Sequence, residues 1–510
     1  MTTKTDSLFP AERFDDLALI FESSGITRTF GQLESRSSQV AHYLRSEHVG
    51  PGDTIAILLE NRAEIFEIVW AAERLGIHYV VVNWHVTAPE IRYIIEDCAP
   101  QVIFTSGQLA ELADSETPET TQGRVMLDRP SGGFPGWDDY DQLITGQKNT
   151  PVTDQCDGDV LLYSAGTTGR PKRIVHSTSD GPLGTYSEGR GMWLRDQLDF
   201  SPKDVYLSSA PLYHPSSLAW SMSANRSGGC VVVMESFGAA HALELIELHR
   251  VTHSQWFPAM FVRMLKLSSQ TRQMYDLSSH RVAVHSGAPC AIDVKKRMIE
   301  WWGPILFEYY SNTEGVGAAS ITSKDWLEHP GSVGRPTLGT PTILGPDGNP
   351  LPAGEVGAIW FTGGAEFAYH GDPDRTAAAI DSQNRATVGD LGYLSDDGYL
   401  FVSDRREHLI VSGGVNICPQ EIESALILHP EVLDVAVIGV PDNEVGERVV
   451  AFVELAETSV SEPVDDLDSY CRDRLAGLKV PWRYEFVSSV PRTPTGKLQR
   501  HKLRAEATSS

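Results

Sequence analysis

Tyr163-Ser-Ala-Gly-Thr-Thr-Gly-Arg-Pro-Lys172 is a run of small and hydroxylated residues that follows the apolar segment Val160-Leu-Leu and closes on a lysine. Such a loop has the parts needed to hold a polyphosphate. Its glycines let backbone N–H groups turn inward, the hydroxyls of Ser164, Thr167 and Thr168 add donors, and Lys172 brings a point charge. The spacing G-x-x-x-x-G-K-S/T is absent, so this is not a Walker A loop. Taken alone, a loop rich in Ser, Thr and Gly is more often a plain connection between a strand and the next element. The decision between the two readings rests on what surrounds it.

Strand-like and helix-like segments alternate on both sides of the loop. Thr54–Leu59, Tyr79–Asn83, Gln101–Thr105, Val160–Tyr163, Cys230–Met234 and Arg281–His285 read as buried strands. Ile65, Ile68, Val69 and Ala72 recur at helical spacing, and Leu75-Gly76 marks a stop. This alternation predicts an α/β fold of parallel sheets covered by helices. The stretch from Ser115 to Gly136 is expected to be an exposed excursion. After Asp390 the texture changes to short strands and turns, and Asp404-Arg-Arg-Glu-His408 has the charge density of an exposed linker. A helix over 419–428 and paired strands over 432–439 and 449–455 follow. The expected boundary is Ser403/Asp404, which gives domains 1–403 and 404–510.

At 510 residues, the chain exceeds what a single core of roughly 250–300 residues accommodates. Hydrophobic content of 41% and charged content of 22% are those of an ordinary globular protein. A formal net charge of −26 argues against a nucleic-acid partner or an anionic membrane surface, both of which need basic patches. The cysteines at 98, 156, 230, 290, 418 and 471 are scattered with no C-x-x-C pair, which favours a reducing cytoplasm over a disulfide or zinc framework. Met1 to Pro10 lacks the apolar core of a signal peptide, and no apolar run has the length of a membrane span.

The decapeptide 163–172 resembles the signature loop of the adenylate-forming superfamily, and the resemblance to its acyl-CoA synthetase branch covers nearly the whole chain. Tyr309-Tyr-Ser-Asn-Thr-Glu-Gly315 is similar to that family's Y-G-x-T-E segment. The resemblance implies that Tyr310 stacks on adenine, Thr313 binds the α-phosphate and Glu314 holds magnesium. His285-Ser-Gly-Ala-Pro-Cys290 is similar to the segment lining the adenine pocket, with Gly287, Ala288 and Pro289 as its candidates. Asp390, in Val388-Gly-Asp-Leu-Gly-Tyr393, matches the family's ribose-binding aspartate, and a carboxylate can accept from both hydroxyls. Arg405 matches the arginine placed at ribose and phosphate, and Glu407 falls at the hinge position. Pro491-Arg-Thr-Pro-Thr-Gly-Lys-Leu498 carries the family's P-x-T-x-x-G-K pattern, so Lys497 is implied as the catalytic lysine that bridges carboxylate and phosphate. In Ser412-Gly-Gly-Val-Asn-Ile417, the resemblance puts Gly413 and Gly414 at the pantetheine tunnel of coenzyme A. His214, in Pro211-Leu-Tyr-His214, is either a gate or proton-handling group or a packed core histidine. Trp256 is an acyl-pocket candidate whose alternative is plain core packing, and Cys290 reads as a packing residue.

Several positions depart from the family pattern. Ala165 stands where serine or glycine is usual, Arg173 and Ser311 replace glycines, and His408 replaces an acidic residue. Arg173 either binds phosphate or crowds the loop. Crowding predicts that Arg173→Gly raises ATP-dependent turnover. The resemblance implies a large N-terminal domain of two stacked α/β sheets with a β-barrel-like lobe, a small mobile α+β C-terminal domain, and an active site in the cleft between them. It also implies an acid–thiol ligase that uses ATP, Mg2+ and coenzyme A on a carboxylic acid, with polycyclic or terpenoid acids suggested by Asn83-Trp-His-Val-Thr87. Alternatives are a thioesterification-only enzyme fed an acyl-adenylate by an upstream partner, an adenylation domain loading a carrier protein, a luciferase-like oxygenase and a silent nucleotide-binding scaffold. A homodimer is compatible with all of them.

Overall fold

The computed structural model describes residues 7–164, 171–176, 194–456, 463–493, 496 and 498–507. They fall into two compact units, one of residues 1–255 with 269–283 and one of residues 256–268 with 284–510.

In the first unit, the described strands Asp138–Asp139, Gly123–Leu127, Val102–Ser106, Thr54–Leu58, His78–Val81 and Asp159–Val160 form one parallel sheet in that order. Its central strands are buried on both faces and therefore read as continuous apolar runs. Strand Gly123–Leu127 corrects the expectation of an exposed excursion over 115–136: Val125 and Met126 are fully buried against their parallel partner. A second set runs His253–Trp256, Val205–Ser208, Cys230–Val233, Leu17–Phe21 and Ile26–Thr29, parallel except for the last, a hairpin neighbour. Helix Ala63–Arg74 is buried along its whole length, and its Arg74 guanidinium reaches Glu34 at 2.8 Å and Ser38 Oγ at 2.6 Å. A buried cation of this kind is tolerated only because it is paired. The helix ends where Gly76 takes φ +68°, and a Cβ there would meet Cys156 Sγ at 2.6 Å. Helix Ala88–Cys98 starts at a box in which the Glu90 carboxylate accepts from the Thr87 amide at 2.9 Å and hydroxyl at 2.7 Å.

The second unit is largely antiparallel. Strands Leu306–Ser311, Ala318–Thr322 and Arg335–Leu338 form one ladder; Thr340–Leu344, Gly357–Thr362, Asp390–Leu394 and Leu400–Arg405 form another. Near the C-terminus, Val432–Asp442 and Gly446–Leu455 make a long hairpin, with Arg483–Val487 added in parallel. Its core includes Ala436, Ile438, Val450, Phe452, Val490 and Leu503. Helices Pro419–Leu426 and Arg500–Ala507 are clamped by Arg500, whose Nη2 contacts both Glu423 oxygens at 2.6 and 2.7 Å. The α/β class and the α+β character of the C-terminal part are as the sequence predicts. Among the described residues, no helix is long and apolar enough to cross a membrane.

Candidate active site

Antiparallel register sets Asp390 directly opposite Arg405, and strand Leu306–Ser311 carries Tyr310 to the same place. The Tyr310 hydroxyl donates to Asp390 Oδ2 at 2.6 Å, while Arg405 Nε lies 3.3 Å from Oδ1. Asp390 is buried. Burial, then the Asp390 charge, pushes the Tyr310 hydroxyl far above its ordinary pKa, which keeps it a donor. The Tyr310 ring stacks towards Phe361, with centroids 6.4 Å apart and planes 23° from parallel.

The chain of charges continues. Arg405 Nη1 is 3.9 Å from Glu407, Glu407 is 3.6 Å from His408 Nε2, and His408 Nδ1 is 3.3 Å from Asp404. Asp404 also accepts from Cys418 Sγ at 3.2 Å. The expectation of an exposed linker is therefore corrected at Asp404, which is buried. Its strand, Leu400–Arg405, alternates faces, so one acid of the charged run points inward. Burial works to raise the Asp404 carboxyl, but hydrogen bonds from His408, the Arg405 amide and Cys418 outweigh it and hold it below the usual range. The same burial, with Asp404 beside it, pushes the Cys418 thiol up to about 12.

Thr313 and Glu314 lie in a turn closed by the Gly315 amide donating to Asn312 O at 3.1 Å. Glu314 is buried and accepts from Tyr369 Oη at 2.8 Å; Arg375 in turn sits 4.6 Å over the Tyr369 ring. Ser311 takes an ordinary strand conformation opposite Ala318, so the glycine usual there is not required by this backbone.

Gly287 does need to be glycine. Its φ is +81°, and a Cβ would stand 2.5 Å from Phe257 Cε1. Ala288 is half-buried and Pro289 exposed. Gly287→Ala is expected to raise the KM for ATP about tenfold, because strain of this kind costs about 1–3 kcal/mol and displaces Phe257. Steady-state kinetics at varied ATP check it; an unchanged KM would remove the segment from the nucleotide pocket. Trp256 is fully buried, its ring 5.5 Å from Trp302 and 6.4 Å from Phe261. The Cys290 thiol is pushed up by burial, as suits a packing residue.

Gly413 and Gly414 have φ +58° and +79° and join strands Ile410–Ser412 and Val415–Ile417. Positive φ at both central residues is the requirement of a tight two-residue hairpin. A Cβ at either would meet nothing within 4 Å, so the turn, not crowding, demands the glycines.

In the first unit, Ser164 and Lys172 are cross-strand partners, as are Tyr163 and Arg173. His214 caps helix Pro215–Arg226: its Nδ1 accepts from the Ser216 amide at 3.3 Å and lies 2.8 Å from Ser216 Oγ. An accepting Nδ1 leaves the ring proton on Nε2. Thr167, Thr168, Ala165 and Lys497 lie outside the described residues. The flanks of Lys497 are placed: Arg492 Nη1 donates to Gly496 O at 2.7 Å, and a Cβ at Gly496 would meet Ala259 Cβ at 2.7 Å. Tyr369, Phe257 and Asp404 were not among the site residues expected from the sequence, where Asp404 was read only as the start of a charged linker.

The chain matches the AMP-binding enzyme family over residues 9–367 and the AMP-binding enzyme C-terminal domain over residues 421–497. It belongs to the AMP-binding enzyme family. It is 32% identical over 492 residues to the fatty acid–acyl-carrier-protein ligase ScoC of Streptomyces coeruleorubidus, covering 94% of this chain and 92% of that protein. It is 30% identical to a methyl-dioxo-octahydroindenyl-propanoyl:CoA ligase of Rhodococcus jostii (strain RHA1), covering 99% of both chains. Among solved structures, the o-succinylbenzoate CoA synthetase MenE of Bacillus subtilis, in complex with its acyl-adenylate intermediate OSB-AMP, superposes with a TM-score of 0.79. It is 28% identical, with 96% of this chain and 95% of that one covered.

Proposed function

We propose that the protein is an AMP-forming acid–thiol ligase that makes an acyl-adenylate from a carboxylic acid and ATP, then transfers the acyl group to coenzyme A. The observation that carries this is the buried Asp390 carboxylate between Tyr310 and Arg405. A carboxylate can accept from both ribose hydroxyls at once. In the first step a carboxylate oxygen attacks the α-phosphorus and pyrophosphate leaves. Lys497, Lys172 and Thr313 offset the charge that develops. In the second step the thiol sulfur attacks the acyl carbon and AMP leaves, with Gly413 and Gly414 beside the pantetheine arm and His214 at the acyl end.

Glu314 fits a magnesium ion of the kind that keeps its waters and binds substrate phosphates. Such an ion takes one or two carboxylates from the protein, and Glu314 is buried and held in place by Tyr369. When bound, the ion supplies charge neutralisation at the phosphates. Ser164, Thr167 and Thr168 add donors to them, and Gly287, Ala288 and Pro289 border the base.

The division at Ser403/Asp404, with Glu407 as hinge, separates the part that binds ATP and acid from the part that carries Lys497. Trp256 backs the acyl pocket through its neighbours. The indenyl-propanoyl:CoA ligase among the relatives supports a polycyclic acid. The carrier-protein ligase ScoC supports a second reading, in which the acceptor is a carrier-protein thiol. A cytoplasmic location and a homodimer are compatible with this reading, and an upstream adenylating partner would be needed only if the first step were lost.

The test is mass spectrometry of thioester products from a panel of acids, supplied either as free acid with MgATP or as preformed acyl-adenylate, with coenzyme A or a carrier protein as acceptor. Acyl-CoA in both arms is the expected result. Product from the adenylate alone would make this a thioesterification enzyme, and product only on the carrier protein would replace the acceptor.

A further inference from the structure

We propose that Arg173, Asp97 and Tyr163 are positioning residues: they brace the hairpin that carries Ser164 and Lys172 against helix Ala88–Cys98. The inference rests on the ligase reading above and adds to it residues that the family pattern does not supply, since glycine is usual at 173.

The register decides where Arg173 points. Directly opposed residues of an antiparallel pair share a face, and successive residues alternate. Tyr163 opposes Arg173, so these two share a face, while Lys172, the next residue along the strand, projects from the other. Arg173 therefore neither reaches for phosphate beside Lys172 nor crowds that face. On its own face, the Tyr163 hydroxyl donates to Asp97 Oδ2 at 2.6 Å, and Arg173 Nε lies 3.3 Å from the same oxygen. Arg173 Nε makes no hydrogen bond there, so this contact is a close ion pair. Both side chains are largely shielded, at 15% and 16% exposure, so water weakens the pair little.

Asp97 is a firm anchor. It sits in the last turn of helix Ala88–Cys98, which is fixed at its start by the Thr87–Glu90 box and packed into the core through Ile91, Ile94, Ile95 and Cys98. The described ladder between these two strands is only three residue pairs long, and the contacts with Asp97 add a side-chain anchor to it. Burial, then Cys98 and Asp97, pushes the Tyr163 hydroxyl far up, which keeps it a donor to the carboxylate. The brace thus fixes the backbone at 163 and 173, and through it the backbone of Ser164 and the face that carries Lys172.

The consequence is opposite in sign to crowding. Arg173→Gly is expected to raise the KM for ATP about tenfold in ATP–pyrophosphate exchange, with a smaller change in kcat. Asp97→Asn should do much the same, and the double variant should be no worse than either single one. Arg173→Lys should recover part of the loss, as should the exchanged pair Arg173→Asp with Asp97→Arg. Each variant is also assayed with preformed acyl-adenylate and coenzyme A, and the ATP arm should fall about tenfold relative to that arm. Higher ATP-dependent turnover in Arg173→Gly would overturn the brace, as would additive losses in the double variant. A lower KM in Asp97→Asn with a higher one in Arg173→Gly would make Arg173 a direct phosphate ligand and also overturn it. Wild-type protein that forms thioester in neither arm would instead defeat the ligase reading, which keeps the two failures apart.

Discussion

Lys497→Ala is expected to slow acyl-adenylate formation about 10²–10³-fold, the loss typical of removing one preorganised donor from a transition state that develops charge. Two anions must meet in that step, the carboxylate and the α-phosphate, and a cation placed between them counts for more than one in bulk water. The described residues on either side of Lys497 are held by contacts of their own. Arg492 is pinned to Asp434 at 2.5 and 2.8 Å and holds the Gly496 carbonyl at 2.7 Å, while Arg492 and Leu498 form an isolated antiparallel bridge. Gly496 takes φ +82° against Ala259, a place where any side chain would force the segment away from helix Pro258–Leu265. The same helix ends at Lys266, whose Nζ donates to Val432 O at 2.5 Å and Leu433 O at 2.6 Å. Single-turnover formation of acyl-adenylate measures the loss directly. Thioester formation from preformed adenylate should fall far less, because that step has no attack on phosphorus. Equal losses in both steps would assign Lys497 to a structural role.

The strands of the first unit were legible because parallel strands buried on both faces leave continuous apolar runs, as in Thr54–Leu58 and Cys230–Val233. Gly123–Leu127 was not, because Arg124 interrupts the run and the preceding residues are polar. Among the candidate site residues, Tyr310, Asp390, Arg405 and Glu407 were each named from local motifs, and the structure brings their side chains into one chain of contacts. Their partners were invisible for a geometric reason. Glu314 and Tyr369 are 55 residues apart, and the Phe257 ring that forbids a side chain at Gly287 arrives from a separate helix start. Contacts of that kind are products of topology and leave no spacing in the sequence. The Gly413-Gly414 pair was legible as a turn, but its open surroundings show that glycine there satisfies backbone torsion before it makes room for any ligand. Arg173 is the clearest case of a departure whose meaning needed the register: one residue along the strand, the same arginine would share the face of Lys172.

Asp390→Asn should raise the KM for ATP about 30–100-fold. Asparagine keeps the shape but replaces one acceptor oxygen with a donor NH2, which cannot take a ribose hydroxyl and faces either Tyr310 Oη or Arg405 Nε. Removing one partner of a buried pair costs about 3–5 kcal/mol, and Arg405 is 35% exposed, so about 2–3 kcal/mol is the expected share here. Tyr310→Phe provides the contrast, since it deletes one neutral donor worth about 1 kcal/mol and leaves both carboxylate oxygens for the ribose. Its KM should rise less than about fivefold. Deoxy substrates separate ribose recognition from a general loss of structure. Wild-type protein should discriminate against 2′-deoxy-ATP and 3′-deoxy-ATP, and Asp390→Asn should lose most of that discrimination because the acceptor is gone. Retention of full discrimination in the variant would mean that the hydroxyls are read elsewhere. Asp390 would then serve to hold Arg405 and Tyr310 in register, and the thermal midpoint would fall with the KM.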